Sequence, residues 1–228
     1  MDSLMYQILK LVESLLDGDE ERAWGVIQAY IQSGANSTYV FDVLLRNAMV
    51  HIGTLWEINA ISVADEHLAS TICERLVARY RDTHLQKPDT PSRRSRVMLF
   101  CVEGEAHDLG LKMVAAAFEE AGYETRLYGR NLSLEYARLA ALRWHPDIVG
   151  ISVTMVYHLP KLRSYIHALE SLAHRPQILV GGRLAQSYDL RPYVGPKTFI
   201  ITDIMQLQAW MNQQRAMPSS SHWGAKDR

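Results

Sequence analysis

Along the first third of the chain, apolar positions recur at intervals of three and four: Leu4, Ile8, Leu11 or Val12, and Leu15. That spacing lays a stripe along one helix face, and Asp17-Gly18-Asp19 closes it. Trp24, Ile27 and Ile31 mark a second helix that stops at Ser33-Gly34. A third runs from about Thr38 to Trp56, with Val40, Val43, Leu44, Ala48 and Ile52 expected to face inward, before Asn59-Ala60 breaks it. Ser62-Val63-Ala64-Asp65 reads as a capping box opening a fourth helix through Leu68, Ile72, Leu76 and Val77. Four such helices with short connections suit an antiparallel bundle, here residues 1–84.

Residues 85–95 change character. The stretch from Leu85 to Arg96 holds two prolines, small polar residues and the cluster Arg93, Arg94 and Arg96. It reads as a linker with solvated arginines. Beyond it the period changes. Val97 to Cys101 is a short apolar strand, followed by a helix from about Asp108 to Ala121 with Gly122 at its end. Strands are then expected at 124–128, 147–153, 177–180 and 197–201. Helices are expected at 133–144, 159–173 and 204–212. This alternation over residues 96–213 predicts a doubly wound, Rossmann- or flavodoxin-like α/β domain with a parallel sheet. Such sheets bind ligands where loops leave the carboxyl ends of the strands. Residues 214–228, rich in Ser with Gly and charged groups, read as a disordered tail.

Composition narrows the class only a little. Apolar residues make up 48% and charged residues 21% of 228, ordinary for a globular protein. Acidic residues number 25 against 24 basic, a net charge of −1, so no bulk field draws the chain to nucleic acid or anionic lipid. No apolar run approaches the ~20 residues needed to cross a bilayer, and Met1-Asp2-Ser3-Leu4 does not begin a secretory signal. Cys73 and Cys101 lie within apolar segments and read as buried free thiols. A cytoplasmic protein is expected. There is no internal repeat, Walker loop, Gly-x-Gly-x-x-Gly or paired Cys-x-x-Cys.

The chemistry gathers after the first strand, at Glu105-Ala106-His107-Asp108-Leu109-Gly110. A histidine there points from the ligand-binding edge of the sheet. A carboxylate two residues earlier can reach back to accept the imidazole Nδ1–H, leaving Nε2 more basic and free to ligate a metal. The plainer alternative makes Glu105 and Asp108 first-turn acids favoured by the helix dipole, with His107 a surface residue.

The string resembles the Asp/Glu-x-His-x-x-Gly motif of cobalamin-binding domains. That resemblance implies that His107 replaces the dimethylbenzimidazole as the lower ligand of cobalt, with Glu105, Asp108 and Gly110 completing the motif. The displaced nucleotide tail would thread into the sheet domain. Ser152-Val153-Thr154 and Gly181-Gly182 resemble the segments beside that tail, although Ser and Thr also cap loops and Gly-Gly also makes turns. In the helical half, Trp56, nine intervening residues, then Glu66-His67 resembles the Trp-x9-Glu-His motif of CarH-type light-sensing cobalamin domains. There a bundle caps the upper cofactor face, the tryptophan packs against the 5′-deoxyadenosyl group and the Glu-His pair lines the pocket. One position departs: Glu57 stands where those sensors carry a histidine that can ligate cobalt after photolysis. His51 and His67 are possible substitutes.

The resemblance implies a stand-alone, non-enzymatic sensor that takes adenosylcobalamin, with methylcobalamin possible. The chain has no room for a helix-turn-helix domain, so output is expected through a homo-oligomer or a separate effector protein rather than direct nucleic-acid or membrane contact. A corrinoid carrier of a methyltransferase system and a cobalamin-dependent antirepressor are the alternatives. Some relatives also bind biliverdin, for which no motif identifies a site.

Overall fold

The computed structural model describes residues 3–85 and 95–216. Arg93 and Arg94, most of the expected linker and all but the first three residues of the expected tail lie outside them. Helix α1 (Ser3–Leu16) and helix α2 (Glu20–Gln32) are followed by a π-helical segment (Tyr39–Leu45) that runs directly into α3 (Arg46–Glu57). Helix α4 (Val63–His84) completes the cap. Its start is the expected capping box. Ser62 Oγ accepts from the Asp65 amide at 3.3 Å, and Asp65 accepts from the Ser62 amide at 2.7 Å.

The π segment was not legible in the periodicity. Its widened turns shift the inner stripe, so Phe41, Asp42 and Leu45 are buried while Val43, expected inside, is only partly covered. Leu68 also departs from expectation. It is 41% exposed, because its side chain lies over Gly18 in the α1–α2 turn rather than in the core.

The second half places β1 (Arg96–Val102), α5 (Leu109–Glu120), β2 (Glu124–Leu132), α6 (Leu134–Trp144), β3 (Ile148–Ser152) and α7 (Leu159–Glu170) in order. Then come β4 (Gln177–Gly181), the single turn α8 (Leu184–Ser187), β5 (Phe199–Ile200) and α9 (Ile204–Ala216). The sheet has the order β2-β1-β3-β4-β5, and every pairing is parallel. Strand β2 outruns its expected end because irregular pairing with β1 carries it on to Leu132. Helix α7 stops short of Ala173. Helix α9 continues to Ala216, so residues 214–216 are helical rather than the start of a tail.

Strand side chains alternate between two cores. Val97, Leu99 and Cys101 face α5, α9 and the cap, while Met98, Phe100 and Val102 face α6 and α7. The cap thus shares one continuous apolar core with the α5–α9 side of the sheet. Asp42 ties the same join. Although buried, its carboxylate accepts the Met205 amide at 3.3 Å in the first turn of α9 and lies 3.5 Å from Arg46. Burial raises this carboxyl above its ordinary range, against the pull of those donors.

Candidate functional site

The chain direction reverses across the sheet between β1 and β3, since β1 leads outward to β2 and the next crossover returns to β3. In an open α/β sheet that crevice is where ligands sit. The loop after β1 carries Glu105 and His107, and the loop after β3 carries Thr154 and His158.

Glu105 is fully buried at this junction. One oxygen accepts the His107 amide at 3.0 Å and His107 Nδ1 at 2.5 Å. The other accepts the Thr154 amide at 2.8 Å and lies 3.2 Å from His158 Nδ1. Burial pushes the carboxyl up, but the donors from His107, Thr154 and His158 outweigh it and hold Glu105 below the usual carboxylate range. An ionised carboxylate cannot donate, so the neutral form of each imidazole carries its proton on Nδ1 and its lone pair on Nε2. His107 differs from His158 in access: its side chain is 64% exposed, and that of His158 only 4%.

The surrounding backbone is shaped for close approach. Gly104 has φ +86°, and a Cβ there would lie 3.1 Å from His158 Nε2. Cys101 donates its thiol to the His107 carbonyl at 3.5 Å. Burial, aided by the Asp108 and Glu105 charges, pushes that thiol up to about 12. Both cysteines are buried and free. Ser152 is buried at the end of β3, in register with Cys101 on one side and Gly181 on the other. Gly182 has φ +109°, and a side chain there would run into the Val153 carbonyl. By contrast, a Cβ on Gly110 would meet nothing. The first turn of α5 is kept low beside His107 for no internal packing reason.

Asp108 occupies the N-cap position of α5, but its side chain makes no capping hydrogen bond. Nor does it act through the helix dipole alone, for its buried carboxylate takes Arg130 at 3.0 Å and Lys112 at 3.2 Å. Glu74 on α4 closes the network, 2.7 Å from Lys112 and 3.4 Å from Arg130. The residue beside His107 is therefore wired to the cap.

In the cap, Trp56 is the penultimate residue of α3, with 48% of its surface exposed. Glu66 and His67 lie in the first turn of α4, across the α3–α4 turn. Glu66 accepts from Ser70 at 2.8 Å, and His67 is largely exposed with Glu66 3.8 Å away. Glu57 pairs with Arg183, just past Gly182, at 3.5 Å. Among the described residues no hydrogen bond or ion pair joins Trp56, Glu66 or His67 to the His107 group. The exposed Glu57–Arg183 pair bridges the end of α3 and the loop after β4. His51 lines a groove with Leu4, Met5 and Val50, about 140° around α3 from Trp56 at ~100° per residue. His158, Arg130, Lys112, Glu74 and Arg183 were not found from sequence. Each has a partner remote in the chain, although Lys112 also meets Asp108 one helical turn away.

Residues 95–192 match the family model described as B12 binding domain, and residues 7–81 match a second model of the same description. The chain belongs with the B12-binding proteins. Over 150 residues it is 28% identical to the HTH-type transcriptional repressor CarH of Myxococcus xanthus, covering 65% of this chain and 48% of that protein. It is 25% identical over 140 residues to dimethylamine corrinoid protein 1 of Methanosarcina acetivorans, covering 60% of this chain and 65% of the relative. The chain thus spans about half to two thirds of these relatives' length. The monomethylamine corrinoid protein of Methanosarcina barkeri shares the fold, with a TM-score of 0.73 at 13% identity, over 90% of this chain and 96% of that one.

For a cobalamin-binding protein the local chemistry fits the cofactor. An exposed Nε2 lone pair, its tautomer fixed by a buried carboxylate, is a donor suited to cobalt. The open flank at Gly110 leaves space beside it. No described helix is long and apolar enough to cross a membrane.

Proposed function

We propose that this cobalamin-binding protein is a light sensor whose helical cap responds to the state of the cofactor's upper face. His107 Nε2 would hold the cobalt, with Glu105 keeping the imidazole in the ligating tautomer. Ser152, Thr154, Gly181 and Gly182 flank the nucleotide tail, and Asp108 and Gly110 border the ring beside His107. Trp56 offers a dry stacking face above, with Glu66 and His67 beside it as partners for sugar hydroxyls. Bound adenosylcobalamin supplies a cobalt–carbon bond that light breaks.

The observation that carries the reading is the half-exposed Trp56 next to Glu57, which is itself paired with Arg183 beyond Gly182. An indole left open at the cap end drawn toward the sheet's ligand edge has an evident use as a wall for a ligand group. Loss of that group changes what Trp56 packs against. The Glu57–Arg183 and Glu74–Lys112 contacts are the joints through which the cap would shift. Output then passes through self-association or an effector protein.

The test is spectral and hydrodynamic. The protein is loaded with adenosylcobalamin in the dark, illuminated with green or blue light, and followed by absorbance and by sedimentation. A sensor gives a protein-specific photoproduct together with a change in shape or association. Photolysis like that of the free cofactor, with an unchanged protein, rules the reading out.

The second reading, a corrinoid carrier for a methyltransferase, is favoured by the likeness to dimethylamine corrinoid proteins. It predicts preference for methylcobalamin and indifference to Trp56→Ala. An antirepressor would share the sensor's cofactor and differ in its output, so pull-downs in light and dark separate the two.

A further inference from the structure

Helix α6 covers the sheet face opposite the cap, burying Ala137, Ala141 and Trp144. Its outer side is unusually apolar for a surface helix. Tyr136 is 63% exposed, Leu139 38% and Leu142 39%. Of the other exposed apolar side chains, Trp56, Ile58, Val63 and Leu68 belong to the candidate site around the α3–α4 turn, and Met5 and Val50 line the groove between α1 and α3.

The α6 face has an internal symmetry. Glu135, Leu139 and Arg143 form one ridge at i, i+4 and i+8, the row that interdigitates when two helices pack. Turned end for end about Leu139, the sequence maps Glu135 onto Arg143 and Tyr136 onto Leu142. Among the described residues neither Glu135 nor Arg143 makes an ion pair. The face is therefore complementary to itself in charge and in apolar surface, as an isologous two-fold interface requires.

We propose that α6 is a homodimer interface, formed by antiparallel packing of two copies of this chain across Leu139. Leu139 meets its symmetry mate at the axis. Glu135 and Arg143, each about 6 Å along the helix from that point at 1.5 Å per residue, pair with Arg143 and Glu135 of the other copy. Tyr136 covers Leu142 of the other copy, and the reverse. The neighbouring edge strand β2 is the less suitable surface. Its pairing is broken by register shifts, and it carries Arg126 and Arg130, features that discourage strand addition. A ridge crossing of this size lies at the small end of specific interfaces, so the dimer is weak and concentration-dependent.

The test uses the full chain, in the dark and loaded with cobalamin, in sedimentation velocity across roughly 10–500 µM, a range suited to micromolar association. The wild type is expected to move from monomer to dimer across that range. Leu139→Glu, Glu135→Arg and Arg143→Glu are each expected to lower association at least tenfold, because two-fold symmetry counts every change twice. The combined Glu135→Arg/Arg143→Glu variant restores the pairing with its signs exchanged and is expected to recover dimerisation. Circular dichroism and cobalamin uptake confirm that each variant is folded. The proposal is overturned if the wild type stays monomeric throughout. It is also overturned by a dimer indifferent to these substitutions, which would place the contact on another face, or by singles that weaken the dimer without rescue in the folded double variant.

Discussion

His107 Nδ1 lies 2.5 Å from a carboxylate oxygen of Glu105, joining a largely exposed imidazole to a fully buried acid. The pair is asymmetric: the acid is fixed by three further donors, while the imidazole presents its other nitrogen outward. Replacing either partner is therefore expected to have different effects.

His107→Ala removes the outward lone pair and leaves the Thr154 and His158 contacts to Glu105 in place. The protein is expected to stay folded, to bind cobalamin more weakly and to lose the histidine-ligated absorbance spectrum. An unchanged spectrum excludes His107 as the ligand.

Glu105→Ala strands the Thr154 amide and the buried His158, and releases the exposed His107. An unfolding loss on the order of 2–4 kcal/mol is expected in denaturant titration. Glu105→Gln keeps the volume and is expected to lose less stability, while still weakening cobalamin binding by about 10–100-fold, the usual cost of losing a ligand's supporting partner. Equal cobalamin affinity in Glu105→Gln and wild type contradicts the tautomer argument.

His158→Leu isolates the role of the second histidine. It is expected to cost about 1–3 kcal/mol, since Glu105 loses one buried donor, and the change is read from the denaturation midpoint. No loss of stability means that the 3.2 Å contact contributes nothing.

Trp56→Ala removes a half-exposed side chain and is expected to leave thermal stability within about 1 kcal/mol of wild type. Under the sensor reading it abolishes the light-dependent change in shape or association measured by scattering. Under the carrier reading it leaves methylcobalamin binding as it was.

The opposite edge of the sheet sets a pH response. His174 Nε2 is buried without a hydrogen-bond partner among the described residues, and its ring centroid lies 5.0 Å from that of His145. Burial, then the neighbouring His145, depresses the His174 pKa, with Asp147 opposing. A depressed folded-state value means that the unfolded chain takes up the proton first. Stability is expected to fall as pH drops below the ordinary histidine value of about 6.5 and on through the folded value. His174→Gln should flatten that part of the curve, and unfolding measured from pH 7.5 to 5 decides it.

The sequence was most informative where partners are close along the chain. The capping box at Ser62 and Asp65 and the Glu105–His107 contact each span two or three residues, so spacing alone encodes them. The strands and helices of the sheet domain were visible because their periods differ. Long-range chemistry was not visible. Asp42 reaches the start of α9 across 163 positions, and His158 reaches Glu105 across 53. Thr154, singled out as part of a motif, holds Glu105 through its amide, which every residue but proline possesses. The π segment escaped because one widened turn disturbs a helical stripe without ending it.

The apolar core shared by the cap, α5 and α9 has a mechanical consequence. Neither half presents a finished surface of its own, so the two behave less like a lid on a hinge than like two parts clamped along a common seam. A cut between α4 and β1 would sever the backbone and leave the seam intact. The nicked protein should co-migrate as one particle and melt in one transition. Under the sensor reading, any cap movement would accordingly be a slide or tilt along that seam rather than a swing away from it.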